Sequence, residues 1–108
     1  MLRILFIGFP VLVLALGIPL ASQLVPPNRF YGYRTATTFA SVEAWYRVNR
    51  ATGLALIAAA LISGFLVFLL DQGVLSLKPE PRYIIGILLS GIFLVTSLIP
   101  VVLYSSRF

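Results

Sequence analysis

Three stretches without a single charged side chain, at about 4–22, 51–70 and 84–104, constrain this chain more than anything else in it. An α-helix rises about 1.5 Å per residue, so some twenty residues cross the roughly 30 Å hydrocarbon core of a bilayer. Inside lipid the backbone has no water to bond to. Each stretch must therefore satisfy its own N–H and C=O groups as a helix, despite its Val, Ile and Phe content. Only 10% of the 108 residues are charged and 60% are hydrophobic, whereas a soluble domain carries about 25% charged residues. The charge available cannot cover a water-facing surface. The predicted fold is all-α: one transmembrane domain over 1–108, with three membrane-spanning helices and a structured polar loop or interfacial helix between the first two.

The first stretch has a rival reading. Arg3 near the start and the small residues Ala21 and Ser22 loosely fit a signal peptide. The apolar run is long for that role, and Pro19 stands where a small residue is wanted, so a retained span is preferred. Pro10 and Pro19 in the first span and Pro100 in the third each remove an N–H, and each is expected to kink its helix.

Composition excludes much chemistry. There is no Cys and no His, which removes disulfides, thiolate metal sites, cysteine nucleophiles and imidazole acid–base catalysis. No ionisable residue sits at mid-depth in a span, where proton relays place theirs. Glu43, Asp71 and Glu80, the only carboxylates, lie in different segments. That arrangement supports neither paired-carboxylate catalysis nor a metal site. No Walker loop or dinucleotide fingerprint is present. The chain is expected not to be an enzyme and to need no cofactor. Its net charge of +5 fits arginines resting against anionic headgroups. No basic run could neutralise several phosphates, so no nucleic-acid partner is expected.

The connections differ. Residues 71–83, with Gly73, Pro79 and Pro81, make a short turn between antiparallel spans. Residues 23–50 are longer, polar, aromatic and basic. Pro26 and Pro27 end the first helix, and Gly32, set among bulky residues, marks a backbone needing positive φ. Ser41 is an N-cap candidate with Glu43 in the first turn. One helix is predicted from Val42 to Leu70, entering the membrane near Arg50, with Trp45 and Tyr46 at headgroup level. Helices in lipid approach closely through small residues. Ala51, Ala55, Ala59, Ser63 and Gly64 of the second span are therefore expected to meet Gly86, Ser90 and Gly91 of the third, the alternative being self-association into a homo-oligomer.

Arginines divide unevenly. Arg29, Arg34, Arg47, Arg50 and Arg107 share one side, and Arg3, Lys78 and Arg82 the other. The bias towards positive charge inside puts the N-terminus outside and the loop 23–50 and the C-terminus in the cytoplasm.

Hydrogen-bonding and aromatic groups concentrate between Asn28 and Asn49. The candidate binding set is Asn28, Tyr31, Gly32, Tyr33, Arg34, Thr35, Glu43, Trp45 and Asn49. They support two readings. In one they form a self-satisfied cap, Arg34 pairing with Glu43 and Thr35 or Thr38 bonding the turn. In the other they form a recognition surface for a peptide, a lipid headgroup or a partner protein. Further alternatives are an oligomeric channel or small transporter lined by Ser63, Ser90, Thr96 and Ser97, or a structural subunit of a membrane complex.

Asn28, the run Phe30-Tyr31-Gly32-Tyr33-Arg34-Thr35, and then Thr38, Ser41, Trp45, Asn49 and Gly53 at these intervals resemble the signature of the SdpI-like family of bacterial membrane proteins. The likeness covers roughly residues 24–55. It implies a non-enzymatic protein of the bacterial cytoplasmic (inner) membrane. In the founding member this unit goes with immunity to a secreted killing peptide and with holding a transcriptional repressor at the membrane. Carried over, Arg34 would be the main charged contact, Glu43 would orient it, and Trp45 and Tyr33 would give contact area to a peptide or protein partner.

Overall fold

The structure is a computed structural model, and it describes residues 2–107. Four helices follow in order: α1 (Leu2–Ala21), the single turn α2 (Ala36–Phe39), α3 (Val42–Asp71) and α4 (Pro79–Ser105). Among the described residues three helices, α1, α3 and α4, are long and apolar enough to cross a membrane. They pack into a rod of 50 × 22 × 18 Å. Its length exceeds the roughly 30 Å hydrocarbon core, so both ends reach headgroup depth.

Each boundary has a local cause. The Ser41 hydroxyl accepts the Ala44 N–H at 3.0 Å and starts α3, as expected for an N-cap. The helix then runs unbroken to Asp71. α4 begins at Pro79, ahead of the apolar run at 84, because proline pre-sets the first helical turn and Glu80 sits at the positive end of the dipole. α1 continues through Pro10 and Pro19. It ends in a reverse turn in which Gln23 takes φ 59°, with Leu24 N–H donating to Pro19 C=O at 3.0 Å and Gln23 N–H to Leu20 C=O at 3.2 Å. α3 ends the same way around Gly73, φ 79°. These are paired Schellman closures.

The packing differs from the expected meeting of small stripes on α3 and α4. α3 packs most extensively on α1, and Gly53 presses against the α1 backbone at Gly17 and Ala21, where a Cβ on Gly53 would fall 2.2 Å from the Ala21 nitrogen. A Cβ on Gly53 would fall 2.6 Å from the Gly17 carbonyl oxygen, and one on Gly17 would fall 2.9 Å from the Gly53 carbonyl oxygen. Backbone meets backbone here, which an alanine stripe does not allow. Gly86, expected to face α3, does meet Leu70 of α3, 3.5 Å from a Cβ there, but is covered more closely by the Phe6 ring of α1. Gly64 has only Pro10 Cβ of α1 near it, at 3.9 Å, and Gly91 meets nothing. On α3, Ala59 and Ser63 are buried, whereas Ala51 and Ala55 line a groove beside α4.

A small apolar core of Phe6, Val67 and Leu70, flanked by Leu66, Tyr83 and Ile87, sits at the end of the rod bearing the 71–78 turn. The Phe6 and Tyr83 rings tilt together at 5.0 Å. Of the residues weighed as pore lining, Ser63 and Ser90 are buried within one chain, Thr96 is exposed, and Ser97, half-buried, donates to its own helix at Leu94 C=O, 2.7 Å away.

Candidate recognition surface

The segment between α1 and α3 folds back over its own end of the rod and is pinned by side chains. Asn28 builds the first turn. Its Oδ1 accepts the N–H groups of Phe30 (2.8 Å) and Tyr31 (2.7 Å), and its Nδ2 donates to the carbonyls of Pro26 (2.8 Å) and Tyr31 (3.1 Å). An asparagine side chain thus replaces the backbone partners this turn lacks. Gly32 follows at φ 117°. A Cβ there would lie 2.6 Å from Asn49 Oδ1 and 3.3 Å from the Trp45 ring, so both conformation and space demand glycine.

Asn49 is the hub. Buried on α3, it accepts the Tyr33 N–H at 2.6 Å and donates to the carbonyls of Tyr33 (3.3 Å) and Trp45 (3.0 Å). It gives the loop the backbone partners that a strand neighbour would supply in a sheet. Trp45 Nε1 donates to Val25 C=O at 2.8 Å. The Tyr31 hydroxyl donates to Leu16 C=O of α1. The Tyr33 hydroxyl lies 3.1 Å from Ser105 Oγ of α4. Because Ser105 already donates to Val102 C=O at 2.9 Å, Tyr33 is the donor. Thr35 and Thr38 cap α2 reciprocally, the Thr35 N–H reaching Thr38 Oγ1 at 2.9 Å and the Thr38 N–H reaching Thr35 Oγ1 at 3.3 Å. The loop therefore bonds to all three long helices.

The nine candidate residues divide into two groups. Trp45 and Asn49 are buried, and Asn28, Tyr31, Gly32 and Tyr33 are half-buried, with their polar groups used internally. Arg34, Thr35 and Glu43 are exposed. Two expectations need correction. Trp45 is 0% exposed, so it neither anchors at headgroup level nor offers contact area. It is the loop's floor, stacked at 5.4 Å on Phe39. Glu43 pairs with Arg47 at 3.2 Å, one turn along the same helix face, rather than orienting Arg34. The Arg34 guanidinium instead donates to the Arg29 carbonyl.

Phe30 belongs with the exposed group and was missing from the candidate set. At 89% exposure it stands on the crest of the Asn28 turn, between Arg29 and Arg34 in the chain. The signal was available: an asparagine two positions ahead that closes a turn points the intervening chain outward. Burial pushes the Tyr31 hydroxyl above its ordinary pKa, which keeps it a donor to Leu16. Around this end lie Arg29, Arg34, Arg47, Arg50 and Arg107, with Glu43 as the lone carboxylate among the loop's residues.

Residues 24–105 match the SdpI/YfhL protein family. The chain belongs to this family. The match begins at Leu24, past the end of α1, and takes in the loop, α3 and α4. No curated protein and no solved structure matches the chain. Asn28, Gly32, Trp45 and Asn49 build the loop, and Gly53 seats α3 on α1. With its spanning helices, the chain is a multi-pass membrane protein of the SdpI/YfhL family.

Proposed function

We propose that this SdpI/YfhL-family protein is a non-enzymatic recognition protein whose loop, 28–49, binds a peptide or protein partner at the membrane surface, an immunity- or signal-type role. The observation that carries this is Phe30. A phenylalanine 89% exposed on a turn fixed by side-chain hydrogen bonds is an apolar anchor held out at no further ordering cost, the kind of residue that dominates binding energy. Arg29 and Arg34 flank it and supply charge for an acidic or C-terminal carboxylate group. The buried motif residues act indirectly by holding this crest. The arginine bias assigns the loop to the cytoplasmic face of the bacterial inner membrane; a C-terminal reporter that is active only after export would reverse that assignment.

The test is site-specific photo-crosslinking in native bacterial membranes with the probe at position 30, and at lipid-facing Leu88 as control. A discrete peptide or protein adduct at 30, weakened by Arg34→Ala and unchanged by Arg107→Ala, is expected. Lipid adducts alone at both positions, or equal effects of the two arginine variants, contradict the proposal.

A further inference from the structure

On the lipid-facing flank of the rod, α3 and α4 leave a groove of about 480 Å³ between them, walled by Ala51, Ala55 and Ala58 on one side and Ser97, Pro100 and Tyr104 on the other. Its depth along α3, seven residues, is about 10 Å, the length of the first half of an acyl chain. Arg47 lies on the same face of α3, one turn above Ala51, and Arg50 directly precedes Ala51. Arg107 lies in the turn just past the end of α4, three residues after Tyr104, its backbone N–H donating to the Tyr104 carbonyl at 3.2 Å. All three arginines are exposed.

We propose that this groove holds an acyl chain of an anionic phospholipid whose phosphate is bound by Arg47, Arg50 and Arg107. The apolar walls give little preference for one lipid over another, since lipid tails are as apolar as leucine. Selectivity comes from the charged mouth. Guanidinium groups take phosphate oxygens in pairs, and the exposed ion pair between Arg47 and Glu43, 58% and 69% accessible, is too weak to withhold Arg47. One of the grooves at the opposite end, between α1 and α3 and lined by Pro10, Gly64 and Phe68, ends at Asp71, which repels phosphate. Charge also argues against a second copy as occupant. Two chains in one membrane orientation mated through the α3–α4 groove would set these arginines against their own counterparts.

The full chain, purified in detergent with equimolar phosphatidylglycerol and phosphatidylcholine, is read by native mass spectrometry. One phosphatidylglycerol retained per chain, in preference to phosphatidylcholine by about tenfold, is expected. Replacing the arginines together (Arg47→Gln, Arg50→Gln, Arg107→Gln) should erase that preference. Ala55→Phe, which fills the groove, should lower retention of either lipid, and Ala58→Phe serves where Ala55→Phe does not yield folded protein. Equal retention of both lipids by the wild type, or undiminished retention by the filled-groove variants, overturns the proposal. So does efficient disulfide dimerisation of Ala55→Cys in membranes, which would give the groove to a second copy.

Discussion

The two ends of the rod are held together by different physics. At the end bearing the 71–78 turn, helices meet through an apolar core of Phe6, Val67 and Leu70 under Gly86, and the connection itself needs little more than the Gly73 closure and a bond from Arg82 Nη2 to Leu77 C=O at 3.0 Å. At the loop end apolar packing gives way to a network in which Asn28, Asn49, Trp45, Tyr31 and Tyr33 tie an irregular backbone to α1, α3 and α4. The reason is the length of irregular chain. A short turn satisfies its backbone from the helix termini it joins, whereas a long segment at headgroup depth must be given partners by side chains or leave polar groups stranded. A dense polar motif at one end of an otherwise oily protein is thus first a structural requirement, and Phe30, Arg29 and Arg34 are among the residues it leaves exposed.

Both ends depend on the crossing of α1 and α3 at Gly53. Gly53→Leu drives a side chain into the α1 backbone, and about 3 kcal/mol or more of stability should be lost, seen as failure to recover folded protein in detergent. Gly91→Ala, where nothing lies within 4 Å, should be harmless. Asn49→Ala comes next. It strands the N–H and C=O of Tyr33, costing about 2 kcal/mol, and limited proteolysis should then cut within 28–40 while the turn at 71–78 stays as resistant as before. Equal loosening of both ends would erase the distinction.

A smaller effect separates the two Schellman closures. Gln23 adopts the left-handed backbone that Gly73 adopts freely. Gln23→Gly should raise stability by roughly 0.5 kcal/mol, and Gly73→Ala should lower it by about 1 kcal/mol, both read from thermal unfolding in detergent. The smallest is a pH effect confined to the loop end. The raised Tyr31 pKa means that the folded state holds this proton more firmly than the unfolded one. Its contribution is present in full below the unfolded value, about pH 10, and is lost as pH rises through the folded value. Tyr31→Phe should abolish that alkaline sensitivity.

The three spans, the unbroken Val42-to-Asp71 helix and the Ser41 cap were all legible, because absence of charge over bilayer length and an N-cap serine are local signals. The need for glycine at 32 was legible for the same reason. The Gly17–Gly53 crossing was not. A single glycine on each of two helices has no periodic pattern, and the small-residue stripe of α3, which does, is split, with Ala59 and Ser63 buried and Ala51 and Ala55 lining a groove. The loop's chemistry was readable as a list of residues but not as roles. Trp45 reads as an interfacial anchor until one sees that α3 turns it under the loop, where Val25 C=O takes its N–H. Which arginine takes Glu43 depended on helix register, which favours Arg47 one turn away.

Buried Asn49 holds the loop as a fixed platform. Amide hydrogen exchange at Tyr33, whose N–H donates to Asn49 Oδ1 at 2.6 Å, tests it most directly. Protection at Tyr33 should be comparable to that of the first turns of α3 and lost in Asn49→Ala. Exchange at Tyr33 as fast as in an unstructured peptide, in the wild-type protein within a bilayer, would contradict it.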